Sequence, residues 1–162
     1  MRTDMDLPDV AQVLLPVLAR VEERDRPLLI AIAERMAAER YRRWAQEAAT
    51  GYERDRLLAC AEREEEIATR VESLRPDHEE VQERVRVANP DLAAINRGLF
   101  EGRPRSEQLA IQARGERLGA ATWRALAQAQ ASEEARQTLL ECARLEEASA
   151  EVLEQLLGKH PS

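Results

Sequence analysis

The sequence is short of the residues that most often carry chemistry. Its 162 residues include two histidines, His78 and His160, which excludes a metal site built on three imidazoles. Two cysteines, Cys60 and Cys142, are too few for a disulfide framework and suit a reduced, cytoplasmic setting. Aromatic residues make up only 3% of the chain. A single lysine, Lys159, stands among 24 basic residues, a bias that reads as the base composition of a bacterial genome. No apolar run approaches the ~18 residues of a transmembrane helix, and the opening Met1-Arg2-Thr3-Asp4 is unlike a signal peptide. The 31 acidic residues leave a net charge of −7, against a nucleic-acid footprint. The expectation is a cytoplasmic protein with neither a membrane nor a nucleic acid as partner.

What is present is helix-forming sequence. Long Ala/Leu/Glu/Arg stretches with few β-branched residues predict an all-α fold. A first short helix is expected over 8–23, bent or restarted at Pro16, then one over 26–49 with Asp25 as N-cap. Thr50 and Glu53 form a capping-box pattern that opens a helix over 51–74. Residues 75–105 are interrupted by Pro76, Pro90, Gly98, Gly102 and Pro104, and read as a crossover with short helices over 78–88, capped by Asp77, and 91–100. Ser106 and Ser132 open two further helices, over 107–130 and 133–157. The whole chain, 1–162, reads as one domain: a hairpin over 26–74, the crossover over 75–105 and a second hairpin over 106–157.

The two hairpins are copies. Adding 82 to a position in 31–74 lands on its counterpart in 113–156 without a gap, with 18 identities in 44 positions. Among them are Glu34/Glu116, Arg35/Arg117, Arg42/Arg124, Cys60/Cys142 and Glu64-Glu65/Glu146-Glu147; Tyr41 pairs with Trp123 and Thr50 with Ser132. Two Ala-rich amphipathic segments share far fewer residues by composition, so duplication of a hairpin is the economical reading.

Each long helix carries an apolar stripe, and each stripe is broken once by a glutamate at the same relative place: Glu34, Glu64, Glu116 and Glu146. Glu34 lies 16 residues before Thr50 and Glu64 lies 14 after it; Glu116 and Glu146 stand the same distances from Ser132. At ~1.5 Å per residue, the two members of each hairpin reach nearly the same height. If the hairpins pack as a four-helix bundle, four carboxylates meet in one layer of the core. Buried carboxylates that repel one another must be offset by a metal pair, by protonation, or by arginine reaching inward from Arg35, Arg63 or Arg117. Alternatively, the glutamates face water. Cys60 and Cys142 sit one turn before Glu64 and Glu146, either as soft ligands, as a cross-bundle disulfide, or as small buried apolar groups. Tyr41 and Trp123 read as core aromatics that hydrogen-bond a carboxylate.

These residues resemble a known family. The segment Ala31-Ile32-Ala33-Glu34-Arg35-Met36-Ala37-Ala38-Glu39-Arg40-Tyr41 looks like the first metal-site helix of rubrerythrins and related ferritin-like proteins, where a ligand Glu is followed seven residues later by Tyr. Glu62–Ala68 resembles the second-helix motif, Gly115-Glu116 with Trp123 the third, and Leu145–Glu151 the fourth. The resemblance covers 26–74 and 107–157. It implies a ferritin-like four-helix bundle with a di-iron carboxylate centre handling dioxygen, peroxide or iron oxidation, with Glu34, Glu64, Glu116 and Glu146 as ligands. Iron is the metal the resemblance implies; with the donor set of this chain, the expected metal is iron or manganese, and the expected assembly is a homo-oligomer, a dimer.

The departures from that pattern are specific. Where the family places a ligand histidine three residues after the second- and fourth-helix glutamates, this chain has Ile67 and Ser149. Gly119 stands where rubrerythrins carry a further carboxylate, and no Cys-x-x-Cys pair is present. What remains is an all-oxygen site of four glutamates, with Ser149 as a further hydroxyl; such donors suit Mn, Mg or Ca and hold Fe(II) less firmly than imidazole does. His78 and His160 fall outside the ligand positions and read as surface residues. The glutamate pattern of all-α nucleotide pyrophosphatases fits poorly, because Glu146-Glu147 is followed by Ala150 and no E-x-x-D comes after it. The competing expectation is a metal-free helical scaffold or partner-binding protein.

Overall fold

A computed structural model describes residues 7–158, so His160 lies outside the described residues. Among them the fold is all-helical, with no strand: α1 (Val10–Ala19), α2 (Arg26–Gln46), α3 (Gly51–Ser73), α4 (His78–Ala88), α5 (Leu92–Gly98), α6 (Arg105–Gln128) and α7 (Glu133–Gly158), with one 3₁₀ turn at Glu23–Asp25. No described helix is long and apolar enough to cross a membrane.

The helix starts follow local chemistry, with some corrections to expectation. Asp9 caps α1 by accepting from the Ala11 and Gln12 amides, and α1 is a ten-residue helix that ends at Ala19 rather than running to 23. Thr50 Oγ1 accepts from the Glu53 amide at 3.1 Å, but Glu53 turns its own carboxylate to Arg105 at 2.6 Å. Only one arm of the expected capping box therefore forms. Asp25 does not cap α2; it accepts from Arg75 at 3.1 Å, with Pro27 in the first turn removing one donor that would need a cap. Asp77 likewise pairs with Arg75 at 3.0 Å instead of capping α4. The helix expected to open at Ser106 begins at Arg105, directly after Pro104.

α2 packs along α3 and α6 along α7, and the hairpins meet through α3 and α7. The duplication reappears as matched ion pairs: Arg35–Glu72 and Arg42–Glu65 in the first hairpin, Arg117–Glu154 and Arg124–Glu147 in the second. Each pair in the second hairpin is the first shifted by 82 residues. The repeat therefore carries its interhelical pairing register, not only its apolar stripe. Arg35 and Arg117, candidates for reaching inward, are used here instead.

The crossover wraps the outside of α2. Gln82 on α4 donates to the Leu28 carbonyl at 3.3 Å and to Glu72 at 2.8 Å, while Asn96 on α5 accepts from Arg40 at 2.7 Å. α1 lies against α6.

The apolar core is divided in two. One cluster includes Leu28, Ile32, Ile67, Val71, Trp123 and Leu139; the other includes Tyr41, Leu57, Leu109, Ile111, Leu153 and Leu156. Each of the four long helices contributes to both clusters, and on each the break falls at the glutamate of its stripe. We expect Leu57→Ala and its repeat partner Leu139→Ala each to cost about 2–5 kcal/mol, because both side chains are fully enclosed. Arg42→Ala and Arg124→Ala, in half-exposed ion pairs, should each cost less than about 1 kcal/mol. Urea denaturation of the four variants checks both expectations.

Candidate metal centre

Between the two apolar clusters lie four buried carboxylates. Glu64 and Glu116 are 1% exposed, Glu146 2% and Glu34 8%. One carboxylate oxygen from each of Glu34, Glu64 and Glu146 falls within 4.8 Å of the others. Glu116 stands outside that trio but adjoins it, close enough for its charge to act on Glu64 and Glu146. The arrangement is three carboxylates gathered and a fourth anchored alongside.

The anchoring of Glu116 is explicit. Its Oε1 accepts from the Tyr41 hydroxyl at 2.8 Å and from the Gln112 amide at 2.8 Å. Gln112 can donate in that direction because its carbonyl oxygen accepts from Arg40, at 2.7 Å from Nη2 and 3.2 Å from Nε. Arg40 also donates to Asn96, and its guanidinium lies 3.9 Å from the Phe100 ring centroid. A buried cation is thus linked to Glu116 through one amide, with no carboxylate of its own. Burial lowers the Arg40 guanidinium to about 10, and the charges of Tyr41, Glu64 and Glu116 act against that shift. It remains charged at neutral pH.

The trio manages its charge differently. Burial pushes Glu64 well above the ordinary carboxyl range, and the neighbouring charges of Glu116, Glu34 and Glu146 add to it. Burial does the same to Glu146, reinforced by Glu34 and Glu116. Glu34 is also raised by burial, with hydrogen bonds from Glu64 and Glu146 acting the other way. Burial and mutual charge thus favour the protonated form of Glu64 and Glu146, with Glu34 as the neighbour that accepts from them. Even so, Glu64 Oε1 and Glu116 Oε2 are buried without any hydrogen-bond partner. An orphaned buried acceptor costs ~1–3 kcal/mol, more when charged.

The aromatic pair breaks the repeat symmetry. Tyr41 reaches across to the other hairpin's Glu116, whereas Trp123 Nε1 donates at 3.3 Å to Glu146 in its own hairpin. Gly119 explains part of the packing: a Cβ there would lie 2.6 Å from Glu146 Oε2 and 2.8 Å from its carboxyl carbon. The Glu146 carboxylate occupies the space that a side chain at 119 would need. At Gly115, one turn earlier, a Cβ would meet nothing within 4 Å.

Several other expectations need correction. Ser149 is fully buried, but its hydroxyl accepts from Arg63 Nε at 3.0 Å and lies outside the carboxylate trio. Cys60 and Cys142 are both free, so no disulfide joins α3 and α7. Cys60 accepts from Arg63 at 3.3 Å; the Cys142 thiol, pushed up to about 12 by burial, faces the Ile67 carbonyl at 4.0 Å. Of the three candidate inward arginines only Arg63 turns inward, to Ser149. Arg40 and Gln112, which hold Glu116, are the residues that sequence reasoning missed. Gln112 left a signal, since it interrupts an apolar stripe where its repeat partner is Ile30. Arg40 left none, being one of several arginines on a charged helix. His78 lies at the start of α4 within hydrogen-bond distance of Gln82, 3.3 Å away.

A cavity of about 310 Å³ opens beside the carboxylates and is lined by all four of them, by Arg40, and by apolar side chains of α1, α2, α5 and α6. Compared with protein-family models, curated proteins and solved structures, the chain matches none.

Two expectations arise from this geometry. Because Glu64 and Glu146 are raised above their unfolded values, the folded metal-free protein holds more protons than the unfolded chain above pH ~4.5. Its stability therefore falls as pH rises through that value toward the folded pKa values, by up to ~1.4 kcal/mol per pH unit per group. Denaturation midpoints of chelator-treated protein across pH 4–8 measure this, and Glu64→Gln/Glu146→Gln should flatten the dependence. Gly115→Ala should stabilise by about 1 kcal/mol through helix propensity, whereas Gly119→Ala should lose that gain by displacing the Glu146 carboxylate. Thermal denaturation of the two variants checks the contrast.

Proposed function

We propose that this chain is a ferritin-like four-helix bundle whose duplicated hairpins hold divalent metal through Glu34, Glu64, Glu116 and Glu146. The observation that carries the reading is the pair of orphaned oxygens, Glu64 Oε1 and Glu116 Oε2, inside a buried layer that also gathers Glu34 and Glu146. A cation would satisfy both and relieve the repulsion that otherwise forces protonation. The donor set fits a hard divalent ion: every candidate ligand is a carboxylate oxygen, and the positions where imidazole would complete the site hold Ile67 and an Arg63-bound Ser149. Manganese(II) suits this set better than iron(II), and such an ion supplies Lewis acidity or, if redox-active, electrons for dioxygen or peroxide. The protein's own part is to hold the Glu116 carboxylate in place through Tyr41 and Gln112, with Arg40 behind Gln112, between two apolar clusters.

A metal-free structural role is the second reading. It is favoured by the ability of protonated Glu64 and Glu146 to bond to Glu34 without any ion.

Metal analysis of protein purified without chelator, followed by Mn(II) and Fe(II) titration, separates the two. The metal reading expects bound metal and a raised melting temperature, both lost in Glu64→Gln/Glu146→Gln. That variant should at the same time equal or exceed the metal-free wild type in stability, because two costly buried acids become neutral amides. No bound metal and no thermal shift in the wild type would sink it.

A further inference from the structure

The cavity beside the carboxylates has a composition that specifies a ligand. Its walls are apolar, with Leu14, Leu18, Ile30, Leu99 and Ile111 among them, and Leu15 and Leu118 at its rim are partly open to solvent. Ala33 and Ala37 on α2 and Gly115 and Gly119 on α6 also line it, at one-turn spacing on each helix. The space thus lies beside small residues on α2 and α6, and at Gly115 it is open enough that an added Cβ touches nothing. At about 310 Å³ it is twice the ~150 Å³ apolar cavity that accommodates benzene, enough for roughly ten carbon atoms.

The polar end of the cavity restricts the head group. Glu64 and Glu116 line it and each has one buried oxygen without a donor. An apolar molecule lacking a donor leaves these oxygens unsatisfied. An anionic head offers these oxygens no donor, and a cationic head competes with a metal for the same carboxylates while lying beside the buried guanidinium of Arg40, which lines the same cavity. A neutral hydroxyl avoids both conflicts: without metal its O–H donates to an orphaned carboxylate oxygen, and with metal bound there its oxygen would be a hard donor to the ion.

We propose that the cavity binds a neutral, chain-like apolar alcohol of about ten carbons, its hydroxyl directed at the carboxylates and its chain running out between α1, α2 and α6. This deepens the metal reading by naming the class of molecule presented to the centre. It rests on that reading for the ligand's role at a metal, while the cavity walls and the orphaned oxygens stand without it.

The test is thermal denaturation of the full chain, metal-free and Mn(II)-loaded, with 1-decanol, decanoate and decylamine as probes. At a hundredfold excess over its Kd, 1-decanol should raise the wild-type melting temperature by roughly 5–10 °C. Decanoate and decylamine should give far smaller shifts. Gly115→Leu should abolish the decanol shift by filling the cavity, yet bind Mn(II) as the wild type does. A homologous series from 1-hexanol to 1-tetradecanol on wild type provides a mutation-free check, with the largest shift near ten carbons. No decanol shift in wild type, a shift that survives in a folded Gly115→Leu, or no chain-length optimum would overturn the proposal. A decylamine or decanoate shift equal to that of decanol would overturn its neutral head group. A decanol shift without any Mn(II) binding defeats the metal reading alone and leaves the cavity assignment standing.

Discussion

Four carboxylates buried in one layer are the constraint around which the rest of this protein is arranged. Burying an ionised carboxylate costs several kcal/mol even after relaxation, and placing four together adds mutual repulsion. The layer interrupts the apolar core of every long helix at one height and leaves an apolar cluster on either side. Those clusters supply the stability that lets the layer exist. The same enclosure that makes the layer costly also favours the protonated form of Glu64 and Glu146.

The layer is not solved by one device. Glu116 is held by two direct donors, with a guanidinium one bond further back. Glu34, Glu64 and Glu146 instead lie close together, and burial raises all three. This division follows from where the duplicated hairpins have diverged. Arg40 corresponds to Thr122, and Gln112 to Ile30, so only the Glu116 side has a polar chain leading to a cation. Tyr41 crosses to the other hairpin while Trp123, whose N–H is set on a bulkier ring, stays within its own. The interhelical Arg–Glu pairs and the four glutamates are matched between the copies, whereas Arg40 and Gln112, which secure Glu116, are not.

Much of the architecture was legible in the residues. The helix formers, the breaks at proline and glycine, and the repeat of 82 led to the all-α order and to most helix ends within a few residues. The burial of Glu34, Glu64, Glu116 and Glu146 was legible because a periodic stripe marks a face, and a charged residue inside it marks an exception. Caps were less legible. Asp25 and Asp77 have the right chemistry for helix starts, but Arg75, distant from Asp25 in sequence, competes for both carboxylates. A charged hydrogen bond to an arginine outweighs one to a single backbone amide.

The sequence by itself determined the helices, their pairing by duplication, and the four acids set at one height, because these depend on local propensity and periodicity. Only the tertiary structure decided how those acids share charge. It brought Arg40 and Gln112 to Glu116, turned Ser149 to Arg63, seated the Glu146 carboxylate over Gly119, and opened a cavity between α1, α2 and α6. Each depends on which side chains from separate helices meet at one point. Helical periodicity specifies the face a residue occupies but not the partner that face will find.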